Sequence, residues 1–174
     1  MKKGFTLIDL LTVLAIIFTL TSISFPFYRT AQKQYILENA AQKFVQDIRR
    51  VQEMAISARI CGPCRNRVPP GYGIYLRQGR SSYLIYADTN PPQGNERYDR
   101  GDRVIEEISF EGGIFISSVN PSSLSINFKP PDPKIRIGNA SQNLTEVSIV
   151  ISFLNDTSKT KTIRVNKAGL IYVE

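Results

Sequence analysis

The first part of the chain is a long apolar run that contains a single charge. The run extends from Phe5 to Phe27, follows Lys2 and Lys3, and its one charged residue is Asp9. A helix of this length measures about 35 Å, which is enough to cross a bilayer core of roughly 30 Å. We therefore expect a membrane-spanning helix. An acid inside such a run is costly, so Asp9 is expected to have a functional partner.

The helical pattern continues beyond this run as an amphipathic stripe. Apolar residues recur at alternating steps of four and three, at Leu37, Ala41, Phe44, Ile48, Val51, Ala55 and Ala58. This spacing places them on one helical face, which we expect to pack on a β-sheet. One helix from Phe5 to about Ala58 is predicted, with a kink at Pro26, because proline removes a backbone N–H and clashes with the preceding turn. Gly62 and Pro63 follow its predicted end.

After Pro63 the pattern changes to short β-type runs separated by turn residues. These runs predict strands at 72–76, 83–87, 104–110, 114–117, 124–128, 147–154, 160–165 and 170–173. A proline-rich break, Lys129-Pro130-Pro131-Asp132-Pro133, interrupts them. The predicted fold class is α+β: a long N-terminal α-helix, with a membrane half and an amphipathic half, packed on an antiparallel β-sheet domain.

The N-terminus carries a specific motif, Lys2-Lys3-Gly4-Phe5-Thr6-Leu7-Ile8-Asp9-Leu10-Leu11. It resembles the leader of type IV pilins and type II secretion pseudopilins. The resemblance implies that a prepilin peptidase cleaves between Gly4 and Phe5 and methylates the new amino terminus of Phe5. It also implies that Asp9, where the family usually has Glu, meets the amino terminus of a neighbouring subunit in a filament. Pairing two charges in an apolar core recovers much of the cost of burying them.

The rest of the chain is similar to the same superfamily. The end of the helix, the Gly-Tyr-Gly-Ile-Tyr strand after it and the closing Asn166–Ile171 segment resemble H-type minor pseudopilins and related minor pilins. The implied domains are a leader peptide (1–4), a transmembrane or filament-core helix (5–27), its amphipathic continuation (28–58) and a periplasmic or extracellular β domain (59–174). The implied location is the bacterial inner membrane, crossed once. Implied partners are other pilin or pseudopilin subunits, the prepilin peptidase and, before assembly, the inner membrane.

Composition narrows the chemistry. The chain has 174 residues, a formal net charge of +7 and no histidine. The lack of histidine excludes His general bases, Ser–His and Cys–His nucleophiles and His-ligated metals, and we expect a subunit that is not an enzyme. Arginines interleaved with tyrosines leave open an alternative, a DNA-binding minor pilin of a DNA-uptake pilus. They are Arg65, Arg67, Arg77, Arg80, Arg97, Arg100 and Arg103, with Tyr72, Tyr75, Tyr83, Tyr86 and Tyr98.

The two cysteines form the motif Cys61-Gly62-Pro63-Cys64, which has the spacing of thioredoxin-like dithiols. Those enzymes place the first Cys at the N-terminus of a helix, where the helix dipole favours the thiolate. Here the motif follows a helix, and the predicted sheet is antiparallel. We therefore favour a structural disulfide between Cys61 and Cys64, formed after export, over a membrane-tethered thiol oxidoreductase.

Residues 88–102 form an oxygen-rich loop between two predicted strands. It gathers Asp88, Asn90, Asn95, Asp99 and Asp102. Carboxylate and amide oxygens are the ligands that calcium prefers, and the spacing is similar to calcium-stabilised loops in some pseudopilins. However, Pro91 and Pro92 interrupt the pattern, and nearby arginines can neutralise the acids. A Ca²⁺ site and a metal-free turn rich in Asp, Asn and Gly therefore both stay open.

Overall fold

The computed structural model describes residues 6–90, 94–131 and 134–174. Within the first range, it describes the backbone but not the side chains of residues 24–27, 29 and 30. These residues form one α-helix, α1 (Leu7–Ile56), one short 3-10 helix (Gly62–Cys64) and ten strands. The chain divides into two compact units, Met1–Ile36 and Leu37–Glu174, and α1 contributes to both.

Six strands of the second unit form the larger sheet. They are β1 (Gly71–Arg77), β2 (Ser82–Asp88), β3 (Arg103–Ser109), β5 (Ser123–Lys129), β6 (Lys134–Gly138) and β7 (Asn143–Leu144). Their spatial order is β3-β2-β1-β5-β6-β7, and every neighbouring pair is antiparallel. β3 and β7 are therefore the edges of this sheet.

The other four strands form a second antiparallel sheet. They are β4 (Ile114–Val119), β8 (Glu146–Phe153), β9 (Asp156–Asn166) and β10 (Ile171–Val173), in the spatial order β10-β9-β8-β4. Val147 pairs with Val165, and Ile149 pairs with Ile163, all four buried. Alternate residues of a strand point to opposite faces, so this register gives the sheet one apolar face.

Within the second unit, the segment of α1 from Leu37 onward contacts residues of both sheets. Its buried residues are Leu37, Ala41, Phe44, Val45, Ile48, Val51 and Ala55. The ring of Phe44 lies 4.7 Å from that of Tyr83 on β2, in an edge-on arrangement. Glu38 forms an ion pair of 2.6 Å with Lys161 on β9. This segment supplies the helical part of the core.

The predicted fold class is wrong. The structure does not show a long N-terminal helix packed on one sheet: residues up to Ile36 belong to a separate unit, and the strands form two sheets. A second helix, the short 3-10 turn, was not predicted. The first part of α1 is only partly apolar, because Asp9 and five hydroxyl residues, Thr12, Thr19, Thr21, Ser22 and Ser24, interrupt its sequence.

The predicted location is wrong as well. Among the residues that the structure describes, no helix combines the length and the apolar character needed to span a membrane. This finding contradicts both the membrane half of the predicted helix and the single pass through the bacterial inner membrane.

Candidate functional site

Asp9 lies in the first turn of α1, where it bonds to Thr6. Its Oδ2 atom accepts hydrogen bonds from the Thr6 hydroxyl (2.6 Å) and the Thr6 amide (3.0 Å). The Asp9 amide in turn donates to the Thr6 hydroxyl oxygen at 3.4 Å. The two hydrogen bonds that the carboxylate accepts lower the pKa of Asp9, and the bond from the Thr6 hydroxyl has the larger effect. The pair forms a capping box, which satisfies amides that have no partner at a helix start.

Sequence analysis did not identify the role of Thr6. The signal was present, because Thr followed three residues later by an acid is the capping-box pattern. The predicted cleavage and methylation site, Gly4 and Phe5, lies outside the described residues. α1 runs through Pro26 without interruption, but the side chain of Pro26 is also outside the description, so the kink stays a prediction.

The first unit exposes large apolar side chains all along its helix. They are Leu7, Ile8, Leu10, Leu11, Val13, Leu14, Ile16, Ile17, Phe18, Leu20 and Ile23. Leu7 is 78% exposed and Phe18 is 70% exposed. Consecutive positions of a helix point in different directions, so these residues occupy every side of it. Exposed apolar surface of this extent marks a site of interaction.

The two cysteines are joined in a disulfide at the junction between α1 and β1. The loop that they close contains the 3-10 helix, and Cys61 is buried. The amide of Cys61 also donates to the carbonyl of Arg67 at 3.0 Å. Arg65 and Asn66, between these two ties, adopt left-handed backbone conformations with φ of 59° and 53°. The amide of Cys64 donates to the carbonyl of Cys61 at 3.1 Å, so a covalent bond and two backbone hydrogen bonds hold this segment.

The loop from Asp88 to Asp102 is organised by two buried carboxylates. Asp88 accepts hydrogen bonds from the amides of Asn95 (3.0 Å) and Glu96 (2.6 Å). Asp102 accepts from the amides of Thr89 (2.9 Å) and Asp99 (2.8 Å). Burial raises the pKa of Asp88 to about 6, although the amide hydrogen bonds partly offset it. Burial also raises the pKa of Asp102.

The remaining predicted calcium ligands bond to one another. Asp99 accepts from the side-chain amides of Asn90 (2.6 Å) and Asn95 (2.5 Å). It also accepts from the amide of Gly101 at 2.9 Å. Among the described residues, no group of three or more Asp, Glu, Cys or His side chains is arranged to hold a metal. The calcium site stays a prediction, and Asp99 accepts these three hydrogen bonds from donors within the loop.

The tyrosines and arginines predicted to bind DNA differ in their exposure. Tyr72, Tyr83 and Tyr86 are buried, with exposed fractions of 0 to 2%. Six of the seven arginines line grooves: Arg65, Arg67 and Arg103 line one, Arg77 and Arg80 a second, and Arg97 a third. Arg100 is exposed. Base stacking needs exposed rings, so the buried tyrosines are not available for it.

Comparison of the chain with protein-family models, with curated proteins and with solved structures found no match. The resemblance to pilins therefore depends on the motifs quoted above, chiefly the one between Lys2 and Leu11.

Proposed function

We propose that this chain is a minor pilin or pseudopilin subunit. It is cleaved by prepilin peptidase and assembles through its N-terminal helix into a type IV pilus or a type II secretion pseudopilus, without a catalytic role. The observation that supports this most is the exposure of apolar residues around the helix between Leu7 and Ile23. A helix that carries apolar residues on every side is more stable when those residues are buried. Matching helices of other subunits would supply that cover.

In this proposal Asp9 has two successive partners. In the single chain it caps the helix through Thr6, and both of those hydrogen bonds end on Oδ2. The Oδ1 atom is then available to the amino terminus of a neighbouring subunit. Because the acid stands among apolar residues, a subunit that is out of register would bury an unpaired charge. Asp9 therefore acts as a register contact as well as a cap.

The first test is intact-mass measurement with N-terminal sequencing of the protein from cells with an active prepilin peptidase and from matched cells without it. We expect the chain to begin at a methylated Phe5 in the first cells and at Met1 in the second. A chain that begins at Met1 in both would overturn the proposal.

A second test separates the two roles of Asp9. We expect Asp9→Glu to enter sheared filaments and Asp9→Ala to be absent from them. Thr6→Val is the matched control, because it removes the cap hydroxyl, at a cost of about 0.5–2 kcal/mol, and keeps the acid. If Thr6→Val reduces incorporation as much as Asp9→Ala does, Asp9 acts only as a cap.

The arginines still support the alternative, a DNA-binding minor pilin of a DNA-uptake pilus, but the tyrosines give it little support. Three of the five rings are buried, and those of Tyr75 and Tyr98 lie against each other at 4.6 Å. DNA retention that collapses with added salt would favour this alternative, since phosphate contacts release counterions. No retention at low salt would exclude it.

A further inference from the structure

Three arginines line one groove beside the disulfide loop. Arg65 and Arg67 follow that loop in the chain, and Arg103 is the first residue of β3. The groove has a volume of about 500 Å³, and its other lining residues are Pro63, Cys64, Val68, Pro69, Pro70, Thr89 and Gly101. All three arginines are exposed. Among the residues that the structure describes, no acidic one lines the groove.

None of these three guanidinium groups forms an ion pair or a hydrogen bond with another residue in the described parts of the chain. Some other arginines of the same unit are paired: Arg50 contacts Glu106 at 2.8 Å, and Arg164 contacts Glu174 at 2.9 Å. The groove therefore concentrates positive charge that the fold itself does not use.

The acids nearest in sequence are engaged elsewhere. Asp102 precedes Arg103, but both of its oxygens accept backbone amides, those of Thr89 and Asp99. Glu106, on the same strand, pairs with Arg50. The positive charge of the three groove arginines is thus available to a ligand.

The disulfide loop fixes where two of the arginines stand. The Cys61–Cys64 disulfide ends at the residue before Arg65, and the amide of Cys61 donates a hydrogen bond to the carbonyl of Arg67. A site that is ordered before binding loses less conformational entropy when the ligand arrives. The disulfide therefore pre-organises Arg65 and Arg67 relative to each other.

We propose that this groove binds a phosphate-type oxyanion and that the Cys61–Cys64 disulfide holds it in the binding form. The guanidinium group offers a planar fork of N–H donors that matches two oxygens of a phosphate. The ligand is either a free anion or a phosphate carried on a larger molecule. This proposal does not depend on the role of the chain as a filament subunit.

The test is calorimetric titration of the full chain with inorganic pyrophosphate at low salt. The groove variant combines Arg65→Asn, Arg67→Gln and Arg103→Gln, and Asn is chosen because it tolerates the left-handed backbone at Arg65. The matched control is Arg80→Gln, an exposed arginine of a different groove. Each arginine in a charge-assisted contact contributes about tenfold in affinity, so the groove variant is expected to show no measurable binding.

We expect the wild type to bind one pyrophosphate saturably and Arg80→Gln to bind within about twofold of it. No saturable binding to the wild type, or an equal loss in Arg80→Gln, would overturn the proposal. A Cys61→Ser/Cys64→Ser chain is expected to bind several-fold more weakly, and unchanged affinity would overturn the role of the disulfide.

In a parallel titration, a short single-stranded oligonucleotide that binds no tighter than pyrophosphate indicates a free anion. Much tighter binding that the groove variant loses indicates phosphate on a polymer.

Discussion

Asp88 gives the sharpest prediction for stability, because its carboxylate is buried and carries a strongly raised pKa. The residue is 1% exposed, and burial raises its pKa from 3.8 to about 6. A folded-state pKa above the unfolded value means that folding favours the protonated acid. The corresponding stability is therefore fully present below about pH 4 and is lost as the pH rises through about 6.

The size of the effect follows from the two pKa values. The difference between 3.8 and about 6 corresponds to about 3 kcal/mol of unfolding free energy, most of which is lost between about pH 4 and pH 7. Asp88→Asn removes this dependence, because the amide is similar in shape and neutral at every pH. The substitution also replaces one acceptor oxygen by a donor opposite the amide of Asn95. That penalty is independent of pH and adds a constant offset.

The measurement is urea unfolding of the full chain at several pH values, with EDTA present to exclude metals. We expect the stability of Asp88→Asn minus that of the wild type to rise by about 2–3 kcal/mol from pH 4 to about pH 7.5. Glu111→Gln is the control, because its carboxylate is 89% exposed. A difference that stays constant or falls with rising pH would refute the reasoning, whatever its absolute value.

Three further predictions concern the core and the loop. In Gly73→Ala the new Cβ would lie 2.5 Å from the buried ring of Tyr86, so we expect a loss of about 1–3 kcal/mol in urea unfolding. Gly62→Ala is the control, because its new Cβ would lie 4.0 Å from Oδ1 of Asn66, an ordinary contact distance. Phe44→Ala should lose about 3–5 kcal/mol, whereas the exposed Tyr35→Ala should change stability by less than about 0.5 kcal/mol. A calcium site at residues 88–102 predicts that calcium raises the melting temperature of the wild type but not of Asp99→Asn. Unchanged melting temperatures in both would establish the metal-free turn.

The local pattern predicted most of the strands, because alternation reports directly on burial. Val147, Ile149 and Ile151 alternate in sequence, and all three are buried in β8. β6 and β7 were not predicted. They follow the proline-rich break, and β6 is held by its pairing with β5, in which Ile137 faces Ile126. Its partner β5 is the preceding strand in the chain, and the alternation of Ile135 and Ile137 was a local clue to β6 that the proline-rich break obscured.

The helix shows where pattern succeeds and where it fails. Six of the seven residues predicted for the amphipathic stripe are buried, and α1 ends two residues before Ala58, which has a positive φ of 44°. Periodicity identifies an apolar face but not the surface that covers it. The number of sheets is likewise set by long-range pairing. These two limits account for the error in the predicted fold class.

The acids of the candidate sites were predicted as ligands or contacts, and in the structure each one first serves the backbone. Asp9 caps α1, and Asp88 and Asp102 accept amides within their own loop. A sequence shows that an acid is present but not which donors surround it, because those donors, backbone amides and a few side chains, are placed by the fold. If a variant that merely removes such an acid loses function, the cause could be either a disrupted turn or a missing contact to a binding partner, and the variant alone does not distinguish them. The decisive comparison changes the local donor and keeps the acid, as Thr6→Val does for Asp9.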